Sequence, residues 1–211
     1  MLFAFKSLTP KDNEMLIFLQ ENMHALEESA ILLVDGINQP LDAAVKLKQN
    51  EKLESIVRDG GEKILAELRN TFIAPLDRED IYRISCKLCD IAESQRGVLE
   101  RIVTSSIQTV EAEDKILAGH ILQSTQIFCR VISELPKLKK HADKIDDMCL
   151  KIVAVAKNAQ TLYRQSIGNI LCQDLSGESL KRQDLLMQME KVQGLYANVA
   201  ILLRGVVMKY V

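Results

Sequence analysis

Asn70-Thr71-Phe72-Ile73-Ala74-Pro75-Leu76-Asp77-Arg78-Glu79-Asp80-Ile81 joins two long amphipathic patterns through a stop and an immediate restart. Pro75 disfavours helical geometry at Ala74, so the pattern running in from the N-terminal side ends there. Asp77 then stands where an N-cap belongs. Glu79 and Asp80 fall in the first turn of the next helix, where negative charge suits the helix dipole. The reading this stretch forces is a helical hairpin.

Working outward, the chain reads as six helices. The first starts near Thr9-Pro10 and carries Met15, Leu19, Met23, Leu26, Ala30 and Leu33 to a stop near Gly36. The second runs from about Pro40 to Thr71 with Leu53, Val57, Ile64, Leu68 and Phe72 at three- and four-residue steps. Gly60-Gly61 interrupts that stripe. Each glycine costs about 1 kcal/mol against alanine, so a bend or a close helix contact is expected. The third helix extends from Arg78 to about Val110, with Gln95 a polar break in its apolar seam. The fourth runs from about Asp114 to Leu135 and ends at Pro136. The fifth carries the cleanest apolar heptad, Leu138 to Ile170, and a turn at Ser176-Gly177-Glu178 opens the sixth. Long helices with short connections pack antiparallel. The expected architecture is all-α: an elongated body of two antiparallel three-helix bundles, a single domain over 1–211 with pseudo-repeat halves at about 8–111 and 112–211.

Composition agrees. The 211 residues include 9 Gly, 4 Pro, no Trp and 4% aromatics, too few turn and strand formers for a sandwich or barrel. A formal net charge of -2 leaves no basic footprint for nucleic acid. The one basic cluster, Lys137, Lys139, Lys140 and His141, is answered at once by Asp143, Asp146 and Asp147, as on a solvated helix start. Met1-Leu2-Phe3-Ala4-Phe5 has no positive leader, and no run approaches the ~20 apolar residues of a membrane span. A cytoplasmic location is expected. Five cysteines lack framework spacing, and Cys86-x-x-Cys89 sits in a helical pattern with no second pair, so reduced thiols are expected. His24, His120 and His141 lie on different helices and form no Glu-x-x-His motif, and no glycine-rich phosphate loop or nucleophile elbow occurs.

The wording Phe72-Ile73-x-Pro75-x-Asp77-Arg78-Glu79-Asp80-Ile81 goes beyond what capping requires. It resembles the inter-helix turn of the PhoU-like family, in the branch known as Pit accessory proteins. The resemblance implies the same paired-bundle fold and a non-enzymatic accessory or regulatory role in inorganic phosphate transport. It implies the cytoplasmic face of a phosphate transporter as partner, membrane association only through that partner, no nucleic acid, and homo-oligomers among the assemblies. Arg78, Glu79 and Asp80 are the candidate partner contacts.

Family members also carry Glu/Asp-x-x-x-Asp pairs that hold a metal cluster. Residues at i and i+4 stand above one another on a helix, and carboxylate oxygens suit Fe, Zn, Mn or Mg. Aligned on Phe72 and Asp80, the four pairs read Glu54/Arg58, Cys89/Glu93, Ala156/Gln160 and Glu190/Gly194. Each departs from the pattern. Glu54, Asp90, Glu93 and Glu190 are the ligands that remain for a divalent metal, and Arg58 brings a cation into the first pair. Two alternatives stand beside the regulatory reading: a metal-free helical scaffold with degenerate sites, and a metal-dependent enzyme, which needs at least three converging ligands.

Overall fold

The computed structural model describes residues 10–70, 76–172 and 176–210. The Thr9 cap, the Thr71–Pro75 stop and the extreme N-terminus lie outside the described residues. Six long helices account for the fold: α1 (Pro10–Asn38), α2 (Ala43–Asn70), α3 (Arg78–Thr104), α4 (Ala112–Glu134), α5 (Leu138–Leu171) and α6 (Gly177–Met208). Short 3-10 turns at Pro40–Asp42 and Leu135–Lys137 each place a proline at a first-turn position, where its missing N–H costs nothing. No strand occurs among the described residues.

Local chemistry sets the boundaries. Asp77 caps α3 by accepting from the Glu79 N–H at 3.0 Å. Ser176 and Ser179 form a reciprocal capping box at the start of α6, each side chain accepting the other's backbone N–H at 3.1 Å. At α4 the Glu111 N–H donates to Asp114 Oδ2 at 2.9 Å. The third helix is shorter than its apolar spacing predicts. It stops at Thr104 because Ser106 turns to φ 50°, after which the Ile107 N–H donates to the Ile102 carbonyl. Ile107 is still buried, so the hydrophobic spacing continues after the helix has ended.

In each half the three helices pair the same way: α1 with α2, α2 with α3, α1 with α3, then α4 with α5, α5 with α6, α4 with α6. The halves meet through α1 on α4 and α3 on α6, which leaves α2 and α5 on opposite flanks. One continuous apolar core runs through both halves. A polar thread crosses it. The Gln95 Nε2 donates to Tyr196 Oη at 3.0 Å, and Tyr196 Oη lies 2.6 Å from Thr125 Oγ1. All three residues are fully buried, so the polar break at Gln95 is an inter-bundle hydrogen bond from its Nε2 that fixes how α3, α4 and α6 register. Its Oε1 has no hydrogen-bond partner among the described residues.

The Gly60-Gly61 break is a close contact within an unbroken helix. A Cβ at Gly60 would lie 2.0 Å from Asn22 Oδ1, and one at Gly61 3.2 Å from Cys89 Sγ. Asn22 is buried on α1 and donates to the Val57 carbonyl at 3.2 Å. One turn-pair along, Asn50 Nδ2 donates to the carbonyl and hydroxyl of Ser29 at 3.1 and 2.9 Å. The two amides fix the level at which α1 lies beside α2.

Candidate functional site

The predicted acidic positions divide between two helix pairs, α2–α3 in the first half and α5–α6 in the second. Between α2 and α3, Glu54 is mostly buried. Its Oε2 lies 2.5 Å from Arg96 Nε, and its Oε1 lies 3.8 Å from an Arg58 guanidinium nitrogen. Arg96 also holds Glu100 at 2.9 Å. Burial opposes the charge on Arg96, but the Glu54 and Glu100 carboxylates outweigh it and hold the guanidinium above its ordinary pKa. Asp90 is bound to Lys87 Nζ at 2.7 Å, and Glu93 is exposed on the same helix. Cys89 turns its thiol toward the Val57 carbonyl at 3.9 Å, and burial pushes its pKa up to about 11.

Between α5 and α6 a groove of about 340 Å³ gathers Ala156, Gln160, Glu190 and Gly194, so the predicted positions of the second half do share one site. Lys157 lines it too. One carboxylate remains where the resemblance implies four. Gln193 closes the inner side: its Oε1 accepts from Ser124 Oγ at 3.1 Å.

A divalent cation needs oxygen ligands that converge with negative charge. Between α2 and α3 Glu54 already carries a guanidinium, and in the α5–α6 groove Glu190 has uncharged neighbours plus a lysine. Among the described residues no group of three or more His, Cys, Asp or Glu is placed to hold an ion. Glu54, Asp90, Glu93 and Glu190 are therefore not brought together, and these residues do not fit the implied metal cluster. Arg96 is the residue the sequence did not single out. Its only local signal was Glu100 four residues on, and its pairing with Glu54 depends on the α2–α3 register.

The candidate contact triplet divides. Asp80 is buried, and Lys209 Nζ donates to both of its carboxylate oxygens at 2.9 and 2.8 Å. Tyr210 Oη accepts the Asp77 N–H at 2.7 Å. The end of α6 thus clamps the start of α3, and the hydrogen bond to Asp80 raises the Lys209 pKa. Glu79 pairs with Arg83 at 2.5 Å on the exposed side, next to Arg78. Of the three, Arg78 and Glu79 face outward and Asp80 belongs to the clamp.

The arrangement of helices is matched in solved structures. A PhoU-like protein from Shewanella oneidensis MR-1 superposes with a TM-score of 0.76 at 14% identity, over 92% of this chain and 99% of that one. A candidate PhoU-like phosphate regulatory protein from the same organism gives 0.72 at 14% identity with the same coverage. The fold is PhoU-like. No family model and no curated protein matches the chain, so the likeness is one of architecture. No helix among the described residues is long and apolar enough to cross a membrane.

Proposed function

We propose that this chain is a non-enzymatic regulatory protein of inorganic phosphate transport, acting from the cytoplasm by helix-face contact with a transporter, as the Pit accessory branch does. The observation that carries the reading is the fold, shared over nine-tenths of the chain with a candidate phosphate regulatory protein. The exposed Arg78-Glu79 end of α3 is the proposed contact face, with the Asp80–Lys209 clamp holding it in place. Binding there acts by differential affinity for two transporter states, the only way a docked protein shifts an equilibrium.

Regulation in this form is metal-free. Arg96 and Arg58 supply the positive charge opposite Glu54, so the α2–α3 joint needs no ion to neutralise it. That pairing favours the scaffold with degenerate sites over any metal-dependent enzyme.

The test is reconstitution of a Pit-type permease in lipid nanodiscs with the purified chain. Binding that is abolished by Arg78→Ala/Glu79→Ala at unchanged melting temperature, together with a change in phosphate uptake in vesicles, is the expected result. Uptake indifferent to a saturating excess of the chain would refute the proposal.

A further inference from the structure

Two thiols share a groove that none of the acidic positions uses. Cys86 and Cys89 stand three residues apart on α3, both half-buried and neither in a disulfide. Together with Arg58, Gly61, Tyr82 and Ser85 they line a groove of about 280 Å³ between α2 and α3. Bare α2 backbone keeps it open, since a Cβ at Gly61 would lie 3.2 Å from Cys89 Sγ and 3.4 Å from Ser85 Oγ. The Cys89 thiol makes only a long contact, 3.9 Å, to the Val57 carbonyl. The Cys86 thiol shares a hydrogen bond with the Tyr82 side chain one turn back.

Spacing decides what such a pair can bridge. Side chains at i and i+3 of a helix have Cβ atoms about 5–6 Å apart. A disulfide needs about 3.5–4.5 Å, so joining the two sulfurs directly would distort α3, which runs unbroken through both positions. Two thiolates that hold one metal ion at about 2.3 Å each keep their sulfurs about 4.6 Å apart. The helix accommodates that separation as it stands. The donor count then selects the ion. Among the described residues no third His, Cys, Asp or Glu joins the pair. Structural zinc takes four ligands, and hard divalent ions take oxygen ligands in larger number. Soft thiolates select copper(I), a closed-shell ion whose coordination two opposed thiolates complete.

We propose that Cys86 and Cys89 form a two-coordinate site for a soft monovalent cation, copper(I) or its analogue silver(I). Binding breaks two S–H bonds and forms two metal–sulfur bonds. Both protons leave to solvent, no electron is transferred, and the complex carries one net negative charge. Arg58 supplies the counter-charge from the α2 side of the groove. Burial raises the Cys89 thiol to about 11, and the Arg58 guanidinium acts against that rise by favouring the thiolate. The site uses none of Glu54, Asp90, Glu93 and Glu190, and it takes a different class of ion from the divalent cluster those residues fail to hold. It is independent of the phosphate reading and leaves the Arg78-Glu79 face untouched.

Competition for copper(I) tests it. The full chain carrying Cys172→Ser, which removes the exposed thiol, is reduced and titrated without oxygen against the copper(I)–bicinchoninate complex, whose colour fades as copper leaves. One equivalent should transfer to the protein, and X-ray absorption should then show two sulfur neighbours and no nitrogen or oxygen. Loss of an outer partner alone costs a metal site about 10–100-fold, so Cys86→Ser and Cys89→Ser, each removing a ligand, should weaken binding by more than about a hundredfold. Arg58→Gln should weaken it about threefold to tenfold. Circular dichroism should show unchanged helicity in all three variants. No transfer of copper would overturn the proposal. So would one equivalent held equally well by Cys86→Ser and Cys89→Ser, which would put the ion on other thiols. Oxygen or nitrogen neighbours in the absorption spectrum, or an affinity indifferent to Arg58→Gln, as for any chance pair of thiols, would overturn it equally.

Discussion

Alanine substitutions at Gly60, Gly61 and Gly119 should move stability in different directions, although all three glycines sit inside helices. On intrinsic propensity alone, each change to alanine gains about 1 kcal/mol. At Gly119 a Cβ meets nothing within 4 Å, so that gain should appear in full. At Gly61 the Cβ would lie 3.2 Å from Cys89 Sγ and 3.4 Å from Ser85 Oγ. Those are tight side-chain contacts that a few tenths of an ångström of rotation relieves, so the net effect there should be close to zero. At Gly60 the Cβ would lie 2.0 Å from Asn22 Oδ1 and 2.7 Å from its Cγ. Asn22 is 1% exposed and has no room to retreat without giving up its hydrogen bond to the Val57 carbonyl. Overpacking costs about 1–3 kcal/mol, and an unsatisfied buried amide costs about 1–3 more. After the propensity gain, Gly60→Ala should be destabilising by about 1–5 kcal/mol, and at about 2–4 °C per kcal/mol for a chain of this size the melting temperature falls by about 2–20 °C.

Urea unfolding followed by circular dichroism reads all three variants, with the midpoint shifting at constant slope. A double-mutant cycle identifies the cause. In an Asn22→Ala background the collision partner is gone, so Gly60→Ala should become neutral or stabilising. Gly60→Ala at or above wild-type stability would refute the claim that the α1–α2 spacing is fixed by backbone contact. So would an equal penalty with and without the Asn22 side chain.

Tyr196→Phe leaves Gln95 Nε2 with only the 3.4 Å contact to Thr125 in a dry core, so urea unfolding should show a loss of about 1–3 kcal/mol with helicity unchanged. Burial raises the Cys129 and Cys149 thiols to about 12, which leaves roughly one in ten thousand as thiolate at pH 8. Brief iodoacetamide labelling of the native protein should therefore modify exposed Cys172 first, and Cys129 and Cys149 only after denaturation, as read by peptide mass spectrometry. Lys144 and then His141 lower the Glu134 pKa below the usual carboxylate value, so its stabilising effect is complete above the unfolded pKa and disappears as pH falls through the folded one. Melting temperatures of Glu134→Gln and wild type should accordingly differ at pH 6 and converge toward pH 3. Lys209→Met strands the buried Asp80 carboxylate and should lower the melting temperature, and Lys209→Met/Asp80→Asn should recover part of the loss.

The fold was legible because its signals are local. The acids at Asp77, Glu79 and Asp80, the turn at Ser176-Gly177-Glu178, and apolar steps of three and four residues each act within one or two helical turns. The end of α3 departs from its apolar spacing for the same reason. Apolar spacing carries on through Ile107, which stays buried, and only the left-handed turn at Ser106 shows that the helix has stopped. Gly60-Gly61 allowed a bend or a contact, and a residue on α1, nearly forty positions away, decides for contact.

The candidate site was less legible because its chemistry lies between helices. Glu54 looks the same in sequence whether it faces a cation, another carboxylate or water. Its state depends on which α3 residue the register brings opposite, and that residue is Arg96, with Arg58 approaching along α2. A guanidinium and a divalent ion both neutralise a half-buried carboxylate, but they differ in consequence. The guanidinium is tethered and always charged, so it neutralises Glu54 whether or not a divalent ion is supplied. In the α5–α6 groove Ala156, Gln160 and Gly194 stand uncharged beside Glu190. The two inter-helix sites thus differ in kind: the first pairs its carboxylate with guanidinium groups, and the second holds one carboxylate beside uncharged side chains and a lysine.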